Sequence, residues 1–181
     1  MSTEAPDTPE LSRPVRLRQV DAKPVRIEAN ESERAALAKR FAIPSIEKLE
    51  ADLALDADGD RVRVHGEMIA AVTQDCSVSG EPFAVDLEEP ILLVFVPAGE
   101  QATEDEDGEI EIELEREELD EIEYDGDTID LGEAVAQTLA LAIDPYAEGP
   151  DADRFREENG LQSEGSEDGP MAEMLAALKK S

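Results

Sequence analysis

The chain has 181 residues, with 47 acidic against 16 basic side chains, a formal net charge of −31, 3% aromatic residues and no Trp. That length carries one hydrophobic core rather than two, and the scarcity of aromatics means the core is built from Ala, Val, Leu and Ile. A field of this sign repels nucleic-acid phosphates and draws in basic proteins, so sequence-reading RNA contact is disfavoured for the acidic surface.

Residues 1–12 are polar and Pro-containing and read as a flexible tail without the apolar run of a signal peptide. Val15/Leu17 and Val25/Ile27 alternate, which predicts one or two short strands around Asp21–Pro24. Asn30-Glu-Ser-Glu33 has the spacing of a capping box, so a helix is expected from there to about Phe41, presenting Leu37 and Phe41 on one side. Pro44 pushes Ile43 out of helical geometry and closes it. From Leu49 the period changes to two: Leu49, Ala51, Leu53 and Leu55 share one face, and Lys48, Glu50, Asp52 and Asp56 the other. Asp58-Gly59 marks a tight hairpin turn, with Val62 and Val64 on the returning strand.

Ser77–Pro82 starts the next connection, after which Phe83, Val85 and Leu87 alternate. Pro90 implies a bulge or an edge position. Ile91–Val96 is apolar at every position, as expected of a strand covered on both faces. Gln101–Gly108 reads as a charged loop, Glu109–Glu115 as a strand with an all-glutamate outer face, and Glu121–Tyr124 as another short strand. Asp130-Leu-Gly-Glu133 repeats the capping-box spacing, and Leu131, Val135, Leu139 and Ile143 predict an amphipathic helix stopped by Pro145. The polar stretch 147–169 is expected to be a disordered linker. Residues 170–181 are expected to form a short apolar helix, with Lys179-Lys180 at the negative end of its dipole. Together these predict an α+β fold. It is an antiparallel sheet or partly closed β-barrel with two packed helices, a single domain over residues 13–146, and a disordered acidic C-terminal tail.

Three local patterns invite chemistry. Asp56, Asp58, Asp60 and Glu67 take positions 1, 3, 5 and 12 of a calcium loop, but the sixth position requires Gly and holds Arg61. The flanks also read as strands, so a hairpin turn is expected. His65, the single histidine, alternates onto the outer face beside Arg61 and Arg63 and reads as a solvated group without a patterned catalytic partner. Cys76 is the only cysteine, which excludes an internal disulfide and fits a reducing cytoplasm. The sequence beside it offers Asp75 and Glu81 rather than a cation, so a buried structural thiol is expected. No nucleotide-binding or nucleophile-elbow motif occurs. No apolar stretch approaches the roughly 18 residues of a membrane span. The expectation is a cytoplasmic protein with no membrane contact, no catalytic residues, no metal and no cofactor.

Two blocks carry a family likeness. Ile69-Ala-Ala-Val-Thr-Gln-Asp-Cys-Ser-Val-Ser-Gly-Glu-Pro-Phe83 runs on through Ala84–Pro97, and Ile129-Asp-Leu-Gly-Glu-Ala-Val-Ala-Gln-Thr-Leu-Ala-Leu-Ala-Ile-Asp-Pro-Tyr146 follows. In order and spacing they resemble the YceD-like family of bacterial large-ribosomal-RNA-subunit accumulation proteins, over roughly Leu49–Pro145. The ending Leu175-Ala-Ala-Leu178-Lys179 is similar to a common family ending. Two departures stand out: Ser79 sits where some relatives have the second cysteine of a Cys-x-x-Cys pair, and Ala147-Glu148 where relatives often have Pro-Arg. The missing cysteine leaves a zinc site short of a ligand. The resemblance implies a non-enzymatic role in large-subunit rRNA accumulation, within large ribosomal subunit assembly.

Charge placement suggests where partners bind. Residues 100–130 hold seventeen acids against Arg116, while residues 1–40 hold eight basic groups against seven acids. The expected partner is a basic ribosomal protein or assembly factor, received by Glu109, Glu111, Glu113 and Glu115. Arg16, Arg18 and Arg26 are the candidates for an indirect or weak rRNA contact, and Leu175 and Leu178 for a docking helix. The chain is expected to be monomeric. Two rivals remain: an acidic adaptor for a basic partner outside ribosome assembly, and a metal-dependent RNA-processing hydrolase.

Overall fold

In the computed structural model, which describes residues 9–20, 24–99 and 120–161, eleven elements follow one another. They are β1 (Pro14–Arg16), a 3-10 turn (Leu17–Gln19), β2 (Val25–Glu28), α1 (Glu31–Arg40), β3 (Ser45–Asp58), β4 (Arg61–Asp75), β5 (Pro82–Pro97), β6 (Asp120–Tyr124), β7 (Thr128–Asp130), α2 (Leu131–Ala142) and α3 (Ala152–Asn159). The chain forms two compact units. One comprises Met1–Gln74 with Ala84–Asp144, the other Asp75–Phe83 with Pro145–Ser181.

The first unit is organised by the period-two pattern. Leu49, Ala51, Leu53 and Leu55 of β3 are all buried, as are Val62, Val64, Met68, Ala70 and Val72 of β4. Alternation thus puts one face of each strand into the core, as their spacing predicts. Asp58 pairs with Arg61 across a two-residue loop in which Gly59 has φ +63°, the glycine-first pattern of a hairpin turn. The flanks of the would-be calcium loop are therefore strands. Glu47 is an extra residue between Ile46 and Lys48 in the β3–β4 ladder, and its carboxylate accepts from the hydroxyls of Ser45 and of Thr73 (2.9 Å).

The expected antiparallel sheet or partly closed barrel is corrected on two counts. The five-stranded sheet has the order β2-β3-β4-β5-β6, and β6 pairs with β5 in parallel, Leu93 opposite Asp120 through Pro97 opposite Tyr124. A parallel pair needs a connection of about a dozen residues or more, and residues 98–119 provide the length. The sheet is also open: among the described residues β2 pairs only with β3 and β6 only with β5, so no barrel closes. β1 and β7 make a separate two-stranded ribbon, Val15 opposite Ile129. Among the described residues, Pro90 lies outside the part of β5 that pairs with β6, an edge position where a missing N–H is tolerated. Leu92 departs from expectation: it is 49% exposed within the otherwise buried Ile91–Val96.

Helix α1 starts as its sequence dictates. The Asn30 side chain accepts from the Glu33 N–H at 3.0 Å, and the Glu33 carboxylate accepts from the Asn30 N–H at 2.8 Å, a complete capping box. Its end was not foreseen at Ala42, which sits at φ +55°. There the Ala42 N–H donates to Lys39 O (3.3 Å) and the Ile43 N–H to Ala38 O (3.0 Å), a Schellman closure in which glycine is the usual residue. Ala42→Gly should therefore raise stability by about 0.5–1 kcal/mol, because relief of the left-handed strain exceeds the entropy glycine adds to the unfolded chain. Thermal unfolding of the two proteins checks this.

Helix α2 uses half of its predicted capping box. The Asp130 carboxylate accepts from the Gly132 (2.9 Å) and Glu133 (3.3 Å) N–H groups. It also accepts from the Arg13 N–H (2.7 Å) and the Ser12 hydroxyl (2.6 Å). Glu133 does not reach back; it takes a two-pronged ion pair from Arg40 at 2.8 and 3.0 Å. Leu131, Val135 and Leu139 are fully buried, each such side chain contributing about 1.5–3 kcal/mol over exposure. Glu33 and Glu133 are held below the ordinary carboxylate value of 4.5 by hydrogen bonds from Arg13 and Arg40, respectively. Their contribution to stability is full above that value and falls away as acid protonates them.

In the second unit, α3 occupies Ala152–Asn159 within the stretch 147–169 expected to be a disordered linker, and residues 162–169 lie outside the described residues. The helix is held by short-range ion pairs, Arg154–Asp151 (3.1 Å) and Arg156–Asp153 (3.0 Å), with Arg156 also bonded to Glu148. It ends at Gly160, φ +64°. The predicted strand 109–115 and the terminal helix 170–181 lie outside the described residues.

Candidate partner-binding surface

The residues singled out for partner contact are placed differently by the fold. Arg16 on β1 and Arg18 in the following 3-10 turn are exposed, and neither has an ion pair among the described residues. Arg26 on β2 is not available in the same way. It is bonded to Glu50 (3.0 Å) and paired with Asp52 (3.6 Å) across the β2–β3 ladder. It also belongs to the five-stranded sheet, whereas Arg16 belongs to the β1–β7 ribbon. The three arginines are therefore not equally available to a partner. Arg13 and Arg40, passed over as partner groups, hold Glu33 and Glu133 and are structural.

Glu109, Glu111, Glu113, Glu115, Leu175 and Leu178 lie outside the described residues. The end of the same acidic stretch is visible, and Asp120, Glu121, Glu123, Asp125 and Asp127 are all exposed. On β6, Glu121 and Glu123 face away from the side that carries Ile122 and the buried Tyr124. The Tyr124 hydroxyl donates to the Asp60 carbonyl at 2.6 Å, which ties β6 to the tip of the β3–β4 hairpin. Sequence reasoning had no means of pairing those residues.

His65 is exposed on β4 opposite Ala54, a surface group as expected. Among the described residues, no group of three His, Cys, Asp or Glu is arranged to hold a metal ion. An open groove of about 420 Å3 runs beside α1, lined by Arg34, Lys39, Ile43 and Ile46 among others. Arg34 is tied to the backbone there, Nη1 donating to the carbonyl of Ala29 (2.6 Å) and Nε to that of Ile46 (3.2 Å).

Cys76 is buried, 4% exposed, as expected. Its acidity was missed. The thiol is brought down to about 7 by hydrogen bonds from Ser79, side chain first and then backbone, with the Gly149 and Val78 amides adding to it. The Ser79 N–H lies 3.5 Å from Sγ. The signal was present in Cys76-Ser-Val-Ser79, a turn that aims amides back at its first side chain, whereas Gly149 is remote in sequence. No cation is needed, because N–H donors favour the thiolate as charge does. Alkylation of the native protein should be slow because of burial, yet its rate should rise with pH around a midpoint near 7 rather than in the ordinary thiol range. Ser79→Ala should move that midpoint up. Any stability from this thiolate is present above the ordinary thiol range and lost as pH falls through about 7.

By fold and surface this is an acidic α+β protein whose carboxylates are displayed on sheet faces and turns, with its arginines largely bonded internally. The family model for the large ribosomal RNA subunit accumulation protein YceD matches residues 64–180, and the chain belongs to that family. No curated protein and no solved structure matches it.

Proposed function

We propose that the protein supports accumulation of large-subunit ribosomal RNA as a non-enzymatic interaction factor in the cytoplasm, by binding a basic ribosomal protein or assembly factor. Membership of the YceD family over residues 64–180 is the observation that carries the pathway. The mode of action rests on charge. A −31 chain whose described carboxylates from Asp120 to Asp127 are exposed offers a field complementary to basic proteins and unfavourable to phosphates. Arg16 and Arg18 are the groups left for an indirect or weak RNA contact. The same net charge opposes self-association, which supports a monomer.

The test is affinity capture of tagged protein at low and high salt, with the co-eluting proteins and RNA identified. Basic large-subunit proteins should be captured at about 0.1 M salt, where screening is still incomplete, and lost at high salt. Replacing Glu109, Glu111, Glu113 and Glu115 by Gln should weaken that capture, because charge attraction mainly sets the on-rate and salt sensitivity. Equal capture by the substituted protein would leave those glutamates with a solubilising role only. Magnesium-dependent RNA cleavage by the purified chain would favour the hydrolase rival.

A further inference from the structure

We propose that the outer face of the sheet around Ile69 and Leu92 docks a protein segment that interleaves lysine or arginine with aliphatic side chains. This rests on the reading that the chain binds basic proteins, and it adds a surface and a partner chemistry that net charge does not give.

Ile69 is 37% exposed and Leu92 49% exposed. Both belong to the outer face by alternation. Met68 and Ala70 flank Ile69 and point into the core, as Ile91 and Leu93 do beside Leu92. Asp86 and Glu88 of β5 face the same way, because Val85 and Leu87 pack against the core. Glu67, two residues from Ile69 on β4, completes the set.

The acids nearest β2 on this face are already answered, Glu50 and Asp52 by Arg26. Glu67, Asp86 and Glu88 have no ion pair among the described residues. Exposed aliphatic groups rimmed by polar ones mark interaction surfaces, and here the rim includes three carboxylates without an ion pair among the described residues, Glu67, Asp86 and Glu88. Arg63, further along the same face of β4, is paired with Asp58 (3.3 Å). A second copy of this chain is a poor occupant, since it brings the same −31 charge. RNA is a poor one for the same reason. A segment that supplies cations to the rim and apolar side chains to the centre satisfies both features.

The test uses the full-length protein and two synthetic peptides of equal length and charge, one alternating Lys with Leu and the other Lys with Ser. Fluorescence anisotropy should show the Lys/Leu peptide binding roughly tenfold more tightly. Ile69→Ser with Leu92→Ser should bring the two peptides to parity. Glu67→Gln with Glu88→Gln should weaken both and flatten their salt dependence. These side chains are outward, so thermal unfolding should change little, and the charge variant tests the face even if the serine variant loses stability. If neither peptide binds the wild-type protein, the reading of the chain as a binder of basic segments falls. If both bind and neither pair of substitutions matters, only this face is wrong. A dimer that dissociates on substituting Leu92 would overturn the proposal by placing a second copy there.

Discussion

Replacing Gly66 by alanine should cost about 3 kcal/mol or more of stability, a large effect for one methyl group. Gly66 lies in β4 opposite Leu53. A Cβ built there would fall 2.1 Å from the Asp52 carbonyl oxygen, and 3.0 Å from both the Asp52 carbonyl carbon and the Leu53 Cα. These are backbone atoms of the neighbouring strand, so no rotamer change relieves the overlap. The β3–β4 ladder must open or shift, and with it the buried rows Leu49–Leu55 and Val62–Val72. For a chain of this length the loss corresponds to a fall in melting temperature of roughly 6–12 °C. Glycine within a strand often marks such a close backbone approach. A melting temperature within a degree or so of wild type would mean the strands are not this close.

Gly132→Ala should also destabilise, here against the trend of helix propensity. In an unhindered helix the exchange gains about 1 kcal/mol. Gly132 sits in the first turn of α2, and a Cβ there would meet Leu11 O at 2.6 Å and Arg13 N at 2.8 Å. That segment is fixed: the Arg13 N–H and the Ser12 hydroxyl donate to Asp130, and the Leu131 N–H donates to Arg13 O at 3.2 Å. Displacing it disrupts the cap of the helix that alanine would otherwise favour. The net expected loss is about 1–3 kcal/mol, the usual cost of overpacking. Denaturant unfolding decides the sign, and a gain in stability would show that residues 11–13 yield.

What could be read in advance was local. The Asn30 capping box, the buried row from Leu49 to Leu55, the Gly59 turn and the Leu131–Leu139 stripe each depend on residues a few positions apart, where spacing fixes geometry. Pairing between distant segments was not legible. Nothing in Pro14–Arg16 names Thr128–Asp130 as its partner, and nothing in Glu121–Tyr124 gives the parallel sense of its pairing with β5. The miss at α3 has a different cause. Its eight residues are mostly charged, and composition outweighed two punctuation marks, Pro150 just before the helix and Gly160 just after it. The Cys76 environment failed for the same reason as the strand pairing, since one of its amide donors is Gly149. Charge asymmetry along the chain singled out residues 100–130, of which Asp120, Glu121, Glu123, Asp125 and Asp127 are described and exposed. It did not reveal that Arg26 is bonded to Glu50 while Arg16 and Arg18 are not.

The central claim is that this chain keeps large-subunit ribosomal RNA at its normal level through contacts rather than catalysis. The most direct measurement is the ratio of large-subunit to small-subunit ribosomal RNA in cells of the native host lacking the protein. The same ratio is then measured after return of the full chain. The account predicts that the ratio falls on deletion and recovers with the wild-type chain, and that it recovers equally with Cys76→Ser, because no thiol chemistry is required. An unchanged ratio on deletion would contradict the account.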